Sequence, residues 1–298
     1  MSLPKLSFST LACPDWSWEQ LLEAAREYHY DGVEIRFLSG DTDLLEADVF
    51  LPKNHERTLT DLHKSGISIA GIASSVHFDN LDPKKLDHEL QTGQAYIELC
   101  QRLGVHVLRV FGDAFPEPGL REQIIDQVTE SLQSLGEFAE NRDVQVVLET
   151  HGDFSDSKNI AAVFNNIRSP SIGVLWDTHH PWRYLGEHPA STFDLIGHWV
   201  QHTHWKDSVT IPQKEAVPES SEAAAIAHQL MSGHRHANYV LFGEGEFPAF
   251  DVHRLLIDND YSGWYSLEWE KAWHPELESP EIALPQFSQQ MRNLFTKE

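Results

Sequence analysis

Residues 171–184 read SIGVLWDTHHPWRY, an apolar run that stops at a carboxylate and is followed at once by two histidines. A short run rich in Ile, Val and Leu, bounded by turn residues, is typical of a strand buried in a parallel sheet. The polar residues after it form either a simple turn or the end of a strand that delivers ligands to a site. Whether other strands end in the same way decides between these interpretations.

Similar β-type runs recur along the chain and alternate with longer segments of helical periodicity, which predicts a parallel sheet with crossover helices. The predicted strands cover residues 5–10, 31–36, 66–74, 104–112, 143–150, 171–177, 198–205 and 263–270. Ser17 and Gln20 form a capping box that marks the first helix, and Pro280 opens the last. Eight such units in 298 residues predict a single-domain (β/α)8 TIM barrel, which has about 250 residues before insertions.

The competing layout is an open doubly wound sheet, which is expected to carry a Gly-rich nucleotide-binding turn after an early strand. The turn after the first predicted strand, LACPDWS at residues 11–17, has no glycine, so the barrel is favoured. A long excursion at residues 208–242 separates the seventh and eighth strands. We expect it to lie near the active-site mouth as an insertion or lid, because loops of that length are usually functional.

The composition narrows the classes of partner. Hydrophobic residues make up 41% of the chain, no apolar run approaches the length of a membrane helix, and the N-terminus lacks a signal-peptide pattern. We therefore expect a cytoplasmic protein without a membrane partner. The formal net charge of -24 repels a phosphate backbone, which argues against nucleic acid as a partner and favours a divalent cation. Cys13 and Cys100 give no disulfide framework.

Four predicted strands end in residues that can bind a metal ion. They are Glu149, Asp177, His204 and Glu268. All strands of a parallel barrel end on the same face, so these side chains are expected to converge. The first two separations match one barrel unit of about 30 residues, and the third contains the excursion.

The donor set indicates which ion the site prefers. Three carboxylates and one imidazole suit Mn²⁺ or Mg²⁺, with Co²⁺ or Zn²⁺ less favoured. Burying three carboxylates close together without a cation is costly because of repulsion and desolvation. The sequence therefore predicts a divalent-metal site.

These motifs, with YDGVEIR at residues 30–36, resemble the xylose isomerase-like TIM barrel family of sugar phosphate isomerases and epimerases. The family includes ketose 3-epimerases, inosose dehydratases, hydroxypyruvate isomerase and endonuclease IV, and the resemblance spans nearly the whole chain. It implies that the four convergent residues are metal ligands and that His180 binds substrate. Lys206 and Asp207 complete the frequent H-x-K-D signature, and FGEGEF at residues 242–247 resembles the family's G-x-G segment.

In the epimerases of this family the first and last metal-bound glutamates exchange a proton with the carbon next to a carbonyl, which implies Glu149 and Glu268 as catalytic bases. The metal polarises the carbonyl and stabilises an enediolate, and bases on opposite faces remove and return the proton. The resemblance thus implies a divalent-metal-dependent isomerase or epimerase of a sugar, sugar phosphate or cyclitol, and a homo-oligomer. An inosose-type dehydratase, a lyase that uses the same scaffold and enediolate, stays open as the alternative.

The residues around the predicted ligands have competing interpretations. His180 is the predicted substrate ligand, but His179 exchanges roles with it if the strand ends one residue later. Lys206 binds a phosphate or carboxylate of the substrate, or it pairs with Asp207 on the rim.

Four further residues are candidates for the mouth of the barrel. Arg183 is a candidate to face the substrate pocket. His151 either supports the site from behind or lies in a solvated loop. Glu34 and Arg36 are candidates for substrate binding, although a structural ion pair between them is favoured.

Two other functional classes share the fold. An endonuclease IV-like enzyme needs extra histidines for a three-metal cluster, but the third strand offers only His77, and Asp113 stands where another histidine is expected. Together with the net charge, this argues against a nuclease. The other class is a sugar-binding barrel without turnover, and Glu149→Gln and Glu268→Gln discriminate it from an enzyme.

Overall fold

The structure, a computed structural model, describes residues 4–210 and 237–297. Its strands are β1 (Lys5–Ser9), β2 (Gly32–Ile35), β3 (Ser68–His77), β4 (Val107–Phe111), β5 (Gln145–Glu149), β6 (Ile172–Asp177), β7 (Val200–Trp205), β8 (Asp207–Thr210), β9 (Ala237–Val240) and β10 (Trp264–Leu267). All except β8 and β9 form one closed parallel barrel, in the order β1, β10, β7, β6, β5, β4, β3, β2. The predicted barrel is confirmed.

Helices follow the strands and surround the barrel. They are α1 (Trp18–Glu27), α2 (His55–Ser65), α3 (Pro83–Leu103), α4 (Arg121–Ala139), α5 (Ser157–Phe164), α6 (Pro189–Ile196), α7 (Ala249–Asp258) and α8 (Pro280–Phe295). The predicted capping box starts α1, since Ser17 Oγ accepts from the Gln20 backbone and Gln20 Oε1 accepts from the Ser17 backbone. In the described ranges, no helix has the length and apolar character of a membrane span.

The inside of the barrel has an apolar layer beneath a polar one. A small apolar cluster inside the barrel is separate from the main core and consists of Val107, Val147 and Leu175. Successive side chains of a strand alternate between its two faces, so residues two positions further along point inward as well. In β4, β5 and β6 these next inward positions carry Arg109, Glu149 and Asp177. The apolar layer therefore supports a charged layer at the C-terminal ends of the strands.

The strand ends differ from the prediction at two places that bear on the site. β3 continues to His77 because that residue pairs with Phe111 beyond a register shift. The eighth barrel strand ends at Leu267 instead of residue 270. Glu268 is consequently the first residue after the strand, although its backbone N–H still donates to Trp205 O.

The excursion after β7 leaves and returns as a ribbon. β8 pairs antiparallel with β9, with Asp207 opposite Val240 and Thr210 opposite Ala237. The predicted lid at residues 208–242 lies largely outside the described residues, because 211–236 belong to neither described range. The lid therefore stays a prediction.

Candidate metal centre

The four predicted ligands lie together at the C-terminal ends of four neighbouring strands. One ligand atom from each of Glu149, Asp177, His204 and Glu268 lies within 4.8 Å of the others, and all four residues are buried. Their strands β5, β6, β7 and β10 are consecutive around the barrel. The residues thus form an arc with Glu149 at one end and Glu268 at the other.

His204 presents one ring nitrogen to the centre of this arc. Its Nδ1 lies 3.3 Å from Glu149 Oε1 and 3.3 Å from Glu268 Oε1. Its Nε2 lies 2.8 Å from Glu34 Oε1 and donates to it. A carboxylate that accepts a hydrogen bond from the N–H of one imidazole nitrogen leaves the other nitrogen, once it is deprotonated, to bind a metal ion. His204 is therefore oriented as an Nδ1 ligand.

Glu34 is held between two histidines instead of pairing with Arg36, so the favoured ion pair between them was wrong. Its second oxygen, Oε2, accepts from His202 Nε2 at 2.6 Å. Burial alone would raise the pKa of Glu34, but His204 and His202 outweigh it and hold that pKa well below its usual range. Sequence reasoning missed His202, although its spacing of two from His204 places both side chains on one face of β7.

Lys206 lies among the carboxylates of the arc and is fully buried. Its Nζ is 2.8 Å from Asp177 Oδ2 and 2.7 Å from Glu270 Oε1, and it also contacts Glu268 Oε2. Lys206 donates hydrogen bonds to Glu268 and Glu270, whereas Asp177 Oδ2 lies at ion-pair distance and has no hydrogen-bond partner among the described residues. The alternative pairing with Asp207 is wrong. The Asp207 carboxylate instead accepts from backbone N–H groups, those of residues 208, 243, 245 and 247.

Glu270 and Arg109 also belong to the site and were missed in the sequence. Arg109 Nη1 donates to Glu149 Oε2 at 2.5 Å, and its guanidinium lies 3.9 Å from the ring centroid of Phe111. The signal for Arg109 was its inward position in β4, and the signal for Glu270 was its spacing of two from Glu268. Neither signal indicates a functional role by itself.

The pKa values of the carboxyl groups in the arc indicate whether the site suits a cation. Burial raises the pKa of Asp177 to about 7, and the neighbouring Glu268 and Glu149 carboxylates add to this effect while Lys206 opposes it. Burial would also raise the pKa of Glu149, but Arg109 leads the opposing effects and the net shift is well below the usual range. Crowded buried carboxylates, with an imidazole nitrogen facing two of them, form a donor set that fits a divalent ion.

The two adjacent histidines after β6 occupy different places. His180 Nδ1 donates to Thr150 O at 3.0 Å, and its Nε2 lies 3.5 Å from Asp177 Oδ2. His179 turns away, with Nε2 2.6 Å from Ser208 Oγ of β8. His180 therefore borders the four-residue arc and His179 faces the ribbon, and substrate binding by His180 stays a prediction.

Arg183 and His151 surround the arc without joining it. Arg183 fastens the ribbon, donating to Ser208 Oγ at 2.7 Å and to Ser208 O at 2.6 Å, and it pairs with Glu246 at 2.9 Å. His151 Nδ1 lies 2.9 Å from Asp113 Oδ1, and its ring packs on His180 with centroids 5.5 Å apart. His151 thus lies next to His180, which borders the arc. Arg183 donates its hydrogen bonds to the ribbon and not to the arc.

Comparisons with known proteins match the chain to a family. The family model described as xylose isomerase-like TIM barrel matches residues 22–287. An inosose dehydratase of Clostridium beijerinckii is 23% identical over 146 residues, which cover 48% of this chain and 46% of that protein. The chain spans about half the length of the curated relatives that it matches.

Solved structures resemble the chain over almost its whole length. The IOLI protein, in a structure with a zinc atom, has a TM-score of 0.74 and 18% identity, with 98% of each chain covered. A D-tagatose 3-epimerase-like protein has a TM-score of 0.71 and 19% identity, with 98% of this chain and 96% of that chain covered. At such identities the likeness shows the shared fold.

Proposed function

We propose a function for the protein on the premise that it belongs to the xylose isomerase-like TIM barrel family. The proposed activity is a divalent-metal-dependent isomerase or epimerase that moves a proton next to the carbonyl of a sugar, sugar phosphate or cyclitol. One observation carries the proposal. Glu149 and Glu268 stand at opposite ends of the four-residue arc, and His204 Nδ1 lies 3.3 Å from an oxygen of each.

The proposed metal ligands are Glu149, Asp177, His204 through Nδ1, and Glu268. A divalent ion bound there would supply a Lewis acid for the substrate carbonyl and a counter-charge for the enediolate oxygen. Mn²⁺ and Mg²⁺ are favoured by the oxygen-rich donor set. The zinc atom in the IOLI structure supports a divalent ion in this fold without deciding which one.

The proposed proton transfer uses the two glutamates as bases. A substrate lying across the arc would have one carboxylate on each side, so one removes the proton and the other returns it to the opposite face. Arg109 contacts Glu149 and Lys206 contacts Glu268. These cations favour the ionised form of each base and fix its position.

The remaining predicted contacts receive more specific roles in the proposal. His180 directs Nε2 toward the arc and is proposed to hydrogen-bond a substrate hydroxyl. His151 is proposed to act through His180, on which its ring packs. Lys206 is proposed to act through the carboxylates it contacts, and Arg183 through the ribbon that it fastens.

The dehydratase alternative is favoured by a specific observation, the match to an inosose dehydratase. Its first step is the same removal of a proton next to the carbonyl. The two reactions differ in the second step, because the isomerase or epimerase returns a proton to carbon, whereas the dehydratase expels a neighbouring hydroxyl group as water.

Turnover in deuterated water tests the proposal. The protein is supplied with Mn²⁺ and then offered a panel of ketoses, inososes and sugar phosphates, and mass spectrometry follows each compound. An isomerase or epimerase incorporates deuterium at carbon without loss of water, and a dehydratase yields a product lighter by one water. Glu149→Gln and Glu268→Gln are each expected to slow turnover by about 10²- to 10⁴-fold. Unchanged turnover in both variants would exclude the two glutamates as the bases.

A further inference from the structure

We propose that Arg36 and Ser75 form an anion-binding subsite beside the candidate metal centre, and that the substrate carries a carboxylate or phosphate group. This inference rests on the proposed function, since it names the substrate class of the same site. Carboxylate and phosphate share the chemistry that matters here, because each offers two oxygen atoms to one guanidinium.

The backbone fixes Arg36 at the C-terminal end of β2, on the face of the barrel that carries the ligand arc. The N–H groups of Arg36 and Phe37 both donate to Thr10 Oγ1, each at 2.8 Å. The side chain of Arg36 then reaches toward β3, where Nη1 donates to Ser75 Oγ at 2.8 Å and to Ala73 O at 3.5 Å. The guanidinium is therefore held in place before any ligand arrives.

Two contacts connect this position with the ligand arc. Ala73 is the register partner of Arg109, and Arg109 donates to Glu149 at one end of the arc. On the other side, the Phe37 ring packs edge-to-face on Trp273, with centroids 5.6 Å apart. Trp273 belongs to the segment after β10 that begins with Glu268. Arg36 thus lies between the segments that lead to the two proposed bases.

Arg36 has no carboxylate partner among the described residues, in contrast with Arg109 and Arg183, which pair with Glu149 and Glu246. Its acceptors are one hydroxyl and one carbonyl, both on Nη1. The Nε and Nη2 groups donate to no described residue. The charges of Glu268 and Glu149 act on Arg36 without forming an ion pair with it, and three N–H donors in a fixed fork are what a carboxylate or phosphate binds.

The local charge supports an anionic ligand. Burial and the Arg109 guanidinium lower the pKa of Arg36 to about 10. The group therefore stays positive at neutral pH, and its charge is disfavoured by its surroundings. An anion bound there would offset both effects.

Titration calorimetry of the Mg²⁺-loaded protein tests the subsite with inorganic phosphate and with acetate as probes. We expect the wild type to bind at least one of them, and the stronger probe identifies the anion class. Arg36→Gln is expected to weaken that binding about 10- to 100-fold, as loss of a charge-assisted contact does. Arg36→Lys keeps the charge and loses the planar guanidinium, so its affinity for the anion is expected to lie between those of the wild type and of Arg36→Gln. Arg26→Gln, an exposed arginine in the last turn of α1, is the matched control and should bind as the wild type does.

Two results would overturn the subsite. One is that neither probe binds the wild type, and the other is that Arg36→Gln and Arg36→Lys bind as tightly as the wild type, which would place the anion on the metal. The metal content of every sample is measured in parallel. Absence of metal from the wild type counts against the proposed function, whereas unchanged anion binding in metal-loaded variants counts against Arg36 alone.

Discussion

Glu34 connects β2 with His204, the proposed histidine ligand on β7. Its two oxygens accept one imidazole N–H each, from His202 and His204. Because the bond from Nε2 fixes the tautomer of His204, the orientation of the Nδ1 lone pair depends on a residue that is not itself in the arc. We therefore propose Glu34 as a positioning residue for the candidate metal centre.

The effect of Glu34 on metal binding can be measured directly. Glu34→Gln keeps the size of the side chain but replaces one acceptor oxygen with a donor amide. We expect it to weaken Mn²⁺ binding by about 10- to 100-fold, as measured by calorimetry. Glu23→Gln, on the exposed face of α1, is the matched control. Equal affinities for all three proteins would mean that Glu34 only contributes to folding.

Metal binding should also depend on pH in a defined direction. Burial and neighbouring carboxylates raise the pKa of Asp177 to about 7. Burial lowers the pKa of His204, but Glu268, Glu34 and Glu149 outweigh burial and raise it well above its usual range. Both groups must lose their protons before they bind a metal ion.

Mn²⁺ affinity is therefore expected to rise as the pH increases from 6 to 8, with a change of about tenfold per pH unit for each proton released. Calorimetry in two buffers of different ionisation enthalpy measures the released protons. An affinity that is flat across this range, with no proton release, would contradict the assignment of these ligands.

At the scale of the residue, the convergence of the four proposed ligands was predictable because each lies at or next to the C-terminal end of a strand and carries distinctive chemistry. The supporting residues were not. Arg109, His202 and Glu270 look ordinary in the sequence, and they become significant only when neighbouring strands bring them against a ligand. For Glu34 the residue was noticed but its partner was wrong, since its histidines lie 168 and 170 positions away.

At the scale of the element, a carboxylate at the start of the ribbon, that of Asp207, holds the loop that follows β9. Asp207 Oδ2 accepts from the N–H groups of Gly243 at 2.9 Å and Gly245 at 3.0 Å. A Cβ on Gly245 would lie 2.1 Å from Asp207 Oδ1. Glycine at this position therefore allows the close approach of the carboxylate to the backbone.

Gly245→Ala is expected to destabilise the fold, because the added methyl group must displace this buried carboxylate from its donors. The expected loss in free energy of unfolding is about 1–3 kcal/mol, as for other buried hydrogen-bond disruptions. Urea denaturation measures it. Gly119→Ala is the control, since a Cβ there meets no atom within 4 Å. A stability loss no larger than in the control would show that the loop adapts without penalty.

The elements themselves were largely predictable, because strand-type runs, caps and turns are local signals. The boundaries that failed depend on pairing. β3 extends to His77 through its register with β4, and β10 ends at Leu267, the last residue with a register partner in β7. Local propensity carries no information about either neighbour.

At the scale of the whole molecule, the family expected from the motifs is confirmed by the match over residues 22–287. The reaction is a finer question than the fold, because solved structures named as a probable dehydratase and as an epimerase share this barrel. The net charge of -24 agrees with a chain that concentrates carboxylates at a cation site, but the arc itself is the specific feature. The central claim is therefore that the four convergent residues bind a divalent ion.

Elemental analysis of the dialysed protein, after incubation with Mn²⁺, Mg²⁺, Co²⁺ or Zn²⁺ in turn, tests this claim most directly. We predict about one tightly held divalent ion per chain, as expected for a single oxygen-rich site. The ion should be lost from the doubly substituted Asp177→Asn, His204→Ala protein and retained in the Glu23→Gln control. A wild type that holds none of these ions, or a double variant that holds as much metal as the wild type, would contradict the account.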